Sequence, residues 1–187
     1  MHKPFYDHEN LVNANRKLRP PAVPLVTHDP YTSCWSMGDK LNGDWPKHWT
    51  RRVHAMYGMI RVDGKTMRFM GNPSACRDAI PQKSVEVHAT RTVYTFSDGK
   101  VVLTVTFTSP LLLDDLDLLS RPVSYMDCDV VSSDGASHAV QLYFDATAEW
   151  AVNDVKQQVT WRRLNTPELA TMAVGSTSQD VLGSKGD

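Results

Sequence analysis

The chain has 187 residues, 41% hydrophobic and 22% charged, a balance that suits one large globular domain, or a small N-terminal piece joined to a larger one. Twenty basic residues against twenty-one acidic ones leave a net charge of −1, and the pairs Arg51-Arg52 and Arg162-Arg163 lie far apart, so the chain has no basic stripe for nucleic acid. No run approaches the roughly eighteen apolar residues that a membrane-spanning helix needs.

Residues 1–17 are polar and read as a loosely held lead-in, with no apolar core or small-residue cleavage site of a signal peptide. The stretch from Leu18 to Thr50 mixes prolines, acids, histidines and three of the five tryptophans without a helix or strand period. Pro20, Pro21 and Pro24 stiffen its start, while Asp29-Pro30 and Asn42-Gly43 signal turns. It is therefore expected to be a long, ordered Pro/Trp-rich loop, of the kind that is functional or pinned at an interface. Each tryptophan must cover roughly 150–250 Å² against a core or a ligand.

Two strand-like runs, Tyr57 to Val62 and Lys65 to Met70, flank Asp63-Gly64, which predicts a β-hairpin. Gly71-Asn72-Pro73 opens a connection to Pro81. Val85, Val87 and Ala89 then alternate with polar residues, as do Val101, Leu103, Val105 and Phe107, and Ser97-Asp98-Gly99 turns one run onto the next. A short helical turn is expected within Pro110 to Leu119. Val123 to Ser132 and His138 to Phe144 are expected to pair through Ser133-Asp134-Gly135, with Val140, Leu142 and Phe144 on one face. Gln158 to Leu164 and Leu169 to Val174 follow, joined by Asn165-Thr166-Pro167. Strands at near-regular spacing with DG and Pro turns predict a mainly β chain, an antiparallel β-sandwich preceded by the long loop.

The chemistry-bearing residues of the loop are Asp29, Trp35, Asp39, Asp44, Trp45, His48 and Trp49, candidates for interface or ligand contact. His28-Asp29 suggests an acid/base pair, but neighbours in an extended chain point to opposite sides, and Asp29-Pro30-Tyr31 reads better as an Asp-capped turn with a packed tyrosine. Asp39, Asp44 and His48 match no EF-hand or zinc spacing, so neither metal nor cofactor is expected. Trp45 and Trp49 suit either a sugar platform or burial at an interface, and burial is favoured. His88 and His138 stand singly on strand faces as satisfied surface side chains. Cys34, Cys76 and Cys128 form no C-x-x-C pair, and Cys128 reads as a small buried apolar residue. No nucleophile elbow, P-loop or dinucleotide fingerprint occurs.

Several runs nevertheless resemble glutaminase A-type proteins. These are Leu18 to Tyr31 (LRPPAVPLVTHDPY), Trp35-Ser36, His48-Trp49-Thr50, Gly58 to Thr66, Phe69 to Gly71, Asp115 to Tyr125, Leu142 to Asn153 and Gln179 to Asp187. The resemblance spans nearly the whole chain. It implies an N-terminal, non-catalytic β region, with residues 18–81 as loop and hairpin and 82–187 as a sandwich that continues beyond the chain. It also implies a C-terminal α/α toroid as partner and catalytic domain, hydrolysis of L-glutamine to glutamate and ammonia by the intact protein, and an extracellular or periplasmic address. No catalytic residue transfers to this stretch, so the chain alone is expected to be inactive. Two alternatives stand beside it: a carbohydrate-binding sandwich using Trp45 and Trp49, and a self-standing hydrolase using His28, Asp29 or His48.

Overall fold

The computed structural model describes residues 20–179, so the expected lead-in, 1–17, lies outside it, as does the stretch from Asp180 onwards. The described residues begin with a small antiparallel sheet of β1 (Val23–Thr27), β2 (Ser33–Ser36) and β3 (Lys47–His48). Next come β4 (Met56–Val62) and β5 (Lys65–Met70), the hairpin that Asp63-Gly64 predicts. Both turn residues take positive φ, 49° and 87°, as a type I′ turn demands. Four strands form an antiparallel meander: β6 (Gln82–Val87), β7 (Arg91–Ser97), β8 (Val101–Thr108) and β9 (Tyr125–Ser132). The expected helical turn is α1 (Leu116–Leu119), capped by the Asp115 carboxylate, which accepts from the Leu118 N–H. Strand β10 (Val140–Ala146) pairs with β4 to give the order β10-β4-β5. A 3-10 turn, Ala148–Ala151, leads to the hairpin of β11 (Val159–Asn165) and β12 (Ala170–Ser176).

The period-two pattern of β8 sends Val101, Leu103, Val105 and Phe107 inward, beside Tyr94 and Phe96 of β7. Facing them across the interior are Ile60, Val62, Met67 and Phe69 of the hairpin sheet, with the Phe69 and Phe96 rings 6.2 Å apart. One core thus joins two antiparallel sheets, and each fully buried side chain adds about 1.5–3 kcal/mol. Gly58 makes the closest approach possible, because a Cβ there would stand 2.3 Å from the Phe69 ring.

Arg68 ties the surrounding loops to this core. It is buried, and its guanidinium donates to the carbonyls of Asn42 (3.2 and 2.9 Å), Gly71 (3.1 Å) and Cys76. The Asn42 side-chain amide in turn donates to the carbonyls of Arg68 and Ile80.

The structure corrects several expectations. The stretch from Leu18 to Thr50 is not one loop, since it contributes β1, β2 and β3. Val23 and Leu25 alternate into the core, and Pro24 adjoins a register irregularity where its missing N–H is tolerated, so proline hid a real strand. Strands β9 and β10, expected to pair, belong to different sheets: β9 joins β8 and β10 joins β4. The segment around Asp134-Gly135 is therefore a crossing between sheets. His138 lies in that crossing rather than on a strand face, between Asp63 (2.8 Å from Nδ1) and Asp134 (2.9 Å from Nε2). Asp63 also binds Lys100 at 2.9 Å and accepts from the Ala139 N–H, so the hairpin turn is pinned to the crossing.

Candidate functional site: a histidine and tryptophan face

The first turn is built by Asp29, whose Oδ1 accepts from the N–H groups of Tyr31 and Thr32, both at 2.8 Å. Burial works to raise its pKa, but these two amides, with nearby His28, hold the carboxyl below its ordinary value. That is the Asp-capped turn expected from sequence, although Tyr31 is 55% exposed rather than packed. The same turn aims the Pro30 carbonyl outward, where it accepts from Trp49 Nε1 and from His48 Nε2, each at 2.8 Å. Because a carbonyl only accepts, Nε2 carries the proton, and Nδ1 receives the Thr50 hydroxyl at 2.8 Å.

Behind His48 lies His54, a residue that sequence reasoning did not single out. Its ring centroid is 5.1 Å from that of His48 and 5.1 Å from that of Trp150 on the 3-10 turn. The His54 pKa is lowered by burial, then by His48 and Arg52, against an opposing pull from Glu149. Both His54 Nδ1 and Trp150 Nε1 are buried without a hydrogen-bond partner. Glu149 accepts from the Thr147 hydroxyl at 2.7 Å and the Ala55 N–H at 3.4 Å, fixing the 3-10 turn against β4.

The remaining candidates lie in two other groups. Trp35 on β2 is half-buried and donates to Ser33 Oγ at 2.9 Å. Asp44 pairs with Lys47 at 2.6 Å, a bond that holds its carboxyl below the usual range, while Asp39 is exposed on the same turn. Trp45 sets its ring 5.6 Å from that of Tyr57. The structure thus unites His48 and Trp49 with His54, Trp150 and the Pro30 carbonyl. It does not bring Asp29, Asp39 or Asp44 into a shared cluster, and among the described residues no group of three His, Cys, Asp or Glu is placed to hold a metal ion. Both His48 ring nitrogens are occupied by local partners, so neither is a free base aimed at a substrate. The arrangement suits packing or recognition by aromatic surface.

Two domain families match the chain. One, described as a domain of unknown function (DUF4964), covers residues 6–80, and another, described as a domain of unknown function (DUF5127), covers residues 90–187. The chain belongs to the DUF5127 family. In DUF5127 terms the matched stretch holds β7 to β12 and Trp150, whereas His48, Trp49 and His54 fall within the DUF4964 match. The DUF5127 chain is also related to proteins named for glutamine chemistry. It is 40% identical over 152 residues to Glutaminase A of Aspergillus oryzae (strain ATCC 42149 / RIB 40), covering 76% of this chain and 22% of that protein. It is 26% identical over 173 residues to a protein named "Probable glutaminase" of Arthroderma benhamiae (strain ATCC MYA-4681 / CBS 112371), covering 83% of this chain and 20% of that one. The chain therefore spans about a fifth of the length of the curated relatives it matches. No solved structure matches it.

Proposed function

We propose that this chain is the N-terminal, non-catalytic β-sandwich region of a glutaminase A-like amidohydrolase, whose α/α toroid, lying elsewhere in the protein, hydrolyses L-glutamine to glutamate and ammonia outside the cell or in the periplasm. The observation that carries this reading is the 40% identity to Glutaminase A, confined to 22% of that protein's length. His48 supports it, since both of its ring nitrogens are held by local hydrogen bonds rather than paired with a nucleophile. In this role the region presents surface to the catalytic part. Ammonia release from glutamine tests it: the 187-residue chain should give none, and the longer protein carrying it should give a steady rate. Release by the isolated chain would establish a self-standing hydrolase instead, and an inactive longer protein would remove glutaminase chemistry from the reading.

One observation favours a second reading. The Trp49 ring donates to the Pro30 carbonyl, and Trp49 and Tyr31 are 58% and 55% exposed, as a sugar-stacking platform requires. A recess of about 570 Å³ beside Arg91, Thr106, Asp127 and Asp129 has no aromatic ring in its wall. A glycan array probed with the wild-type chain and with Trp49→Ala separates the readings, because a carbohydrate module binds and loses binding in the variant.

A further inference from the structure

Strand β10 carries an apolar row, Val140, Leu142 and Phe144, yet stands at the end of its sheet. The Asp63 N–H bonds the Ala139 carbonyl and the Thr147 N–H bonds the Ala55 carbonyl, which sets the phase of the antiparallel ladder. The odd-numbered residues of β10 therefore bond to β4, and the N–H and C=O groups of Val140, Leu142, Phe144 and Ala146 point away from it. Among the described residues no strand pairs with that side.

An edge left open to water is normally guarded by lysine, proline, inward charge or a bulge. The ladder of β10 with β4 runs without a register break, the strand carries neither Lys nor Pro, and its one charge, Asp145, is half-buried on the face opposite Leu142 and Phe144. Leu142 and Phe144 lie on the face shared with Ile60 and Gly58, and Tyr143 lies on the opposite one, so large side chains occupy both faces. These three are 46%, 47% and 50% exposed. The other sheet also ends on a free edge, at β9, but there Asp127 and Asp129 stand exposed as guarding charges. The face that carries Val140, Leu142 and Phe144 is thus apolar yet half open at the edge, whereas Gln141, Tyr143 and Asp145 make the other face polar.

We propose that the free edge of β10 seats a further β-strand, itself apolar on the face it shares with Leu142 and Phe144, supplied by the part of the longer protein outside the matched stretch. This rests on reading the chain as one region of a larger protein, and the relatives carry about four-fifths of their length beyond the match. A tethered strand is preferred to a second copy because tethering presents it at an effective concentration on the order of millimolar. The added strand extends the sheet beyond β10 and lays side chains beside Leu142 and Phe144.

Residue-resolved amide hydrogen exchange on the 187-residue chain and on the longer protein tests the proposal. In the short chain, Gln141, Tyr143 and Asp145 should exchange slowly while Leu142 and Phe144 exchange freely. In the longer protein, Leu142 and Phe144 should slow by roughly a hundredfold or more. Free exchange at these two amides in the longer protein overturns the proposal. Protection that arises in the short chain and grows with its concentration also overturns it, in favour of a second copy. Ammonia release reports separately on the larger reading, so the two fail independently.

Discussion

Replacing Arg68 by methionine removes the donors that hold three buried carbonyls while keeping much of the side chain's volume. Asn42, Gly71 and Cys76 each lose the guanidinium, and an unsatisfied buried carbonyl costs about 1–3 kcal/mol, so the gross loss is roughly 3–9 kcal/mol. The variant also no longer has to bury a cation, which returns several kcal/mol. The net expectation is a destabilisation of about 3 kcal/mol, or roughly 6–12 °C in Tm for a chain of this size. Urea unfolding followed by tryptophan fluorescence measures it, and the midpoint should fall with an unchanged denaturant slope. Arg68→Lys should recover little, because an ammonium cannot present the planar fork that reaches all three carbonyls. A loss below about 1 kcal/mol for Arg68→Met would show that desolvation of the cation cancels its hydrogen bonds, and that the loops are held by apolar packing alone.

The His138 clamp should make stability depend on pH in both directions. Hydrogen bonds that the His138 ring donates to Asp134 and Asp63 raise its pKa, so its contribution is complete below about pH 6.5 and disappears as pH rises through the raised value. Lys100 and His138 hold Asp63 well down, and His138 holds Asp134 down to about 2, so their contribution is complete above about pH 4 and disappears on acidification. Thermal midpoints across pH 3–9 should therefore pass through a plateau at about pH 4–6.5, and His138→Gln should abolish the alkaline fall. An unchanged alkaline limb would exclude the clamp. Gly58→Ala should cost about 1–3 kcal/mol by overpacking against Phe69, with Phe69→Leu restoring much of it in the double variant; additive losses would place the strain elsewhere. Trp150→Phe removes a buried N–H that has no partner and should be near neutral by calorimetry. Trp49→Ala, at a largely exposed ring, should cost under about 1 kcal/mol, and an early melt would mean the ring is packed.

Features fixed by local stereochemistry were legible in the sequence. Asp63-Gly64 announces a turn with two positive φ values, and the alternation from Val101 to Phe107 announces a half-buried strand, because each is a property of a few neighbouring residues. Pairing partners were not legible where they are distant. Ser133-Asp134-Gly135 carries the same turn vocabulary as a hairpin, and only the three-dimensional course of the chain sends β10 to β4 instead of β9. Strand β1 was missed because Pro24 interrupts its period. At the candidate site, Asp29 and Trp49 stood out by residue type, while His54 did not. Its only signal was a second histidine soon after His48, and nothing in the sequence joins either to Trp150.

The pairing of β10 with β4 also bears on how the molecule is assembled in time. One strand lies in the stretch matched by DUF4964 and the other in that matched by DUF5127, so a cut between residues 80 and 90 would strand each half of a single sheet. Neither match then holds the complete sheet. The β4-β5 hairpin can form as soon as it is synthesised, but its sheet waits for β10, and that delay is the entropic cost of closing a long loop. Two separately produced halves should remain poorly folded alone and recover structure on mixing, as a split protein does.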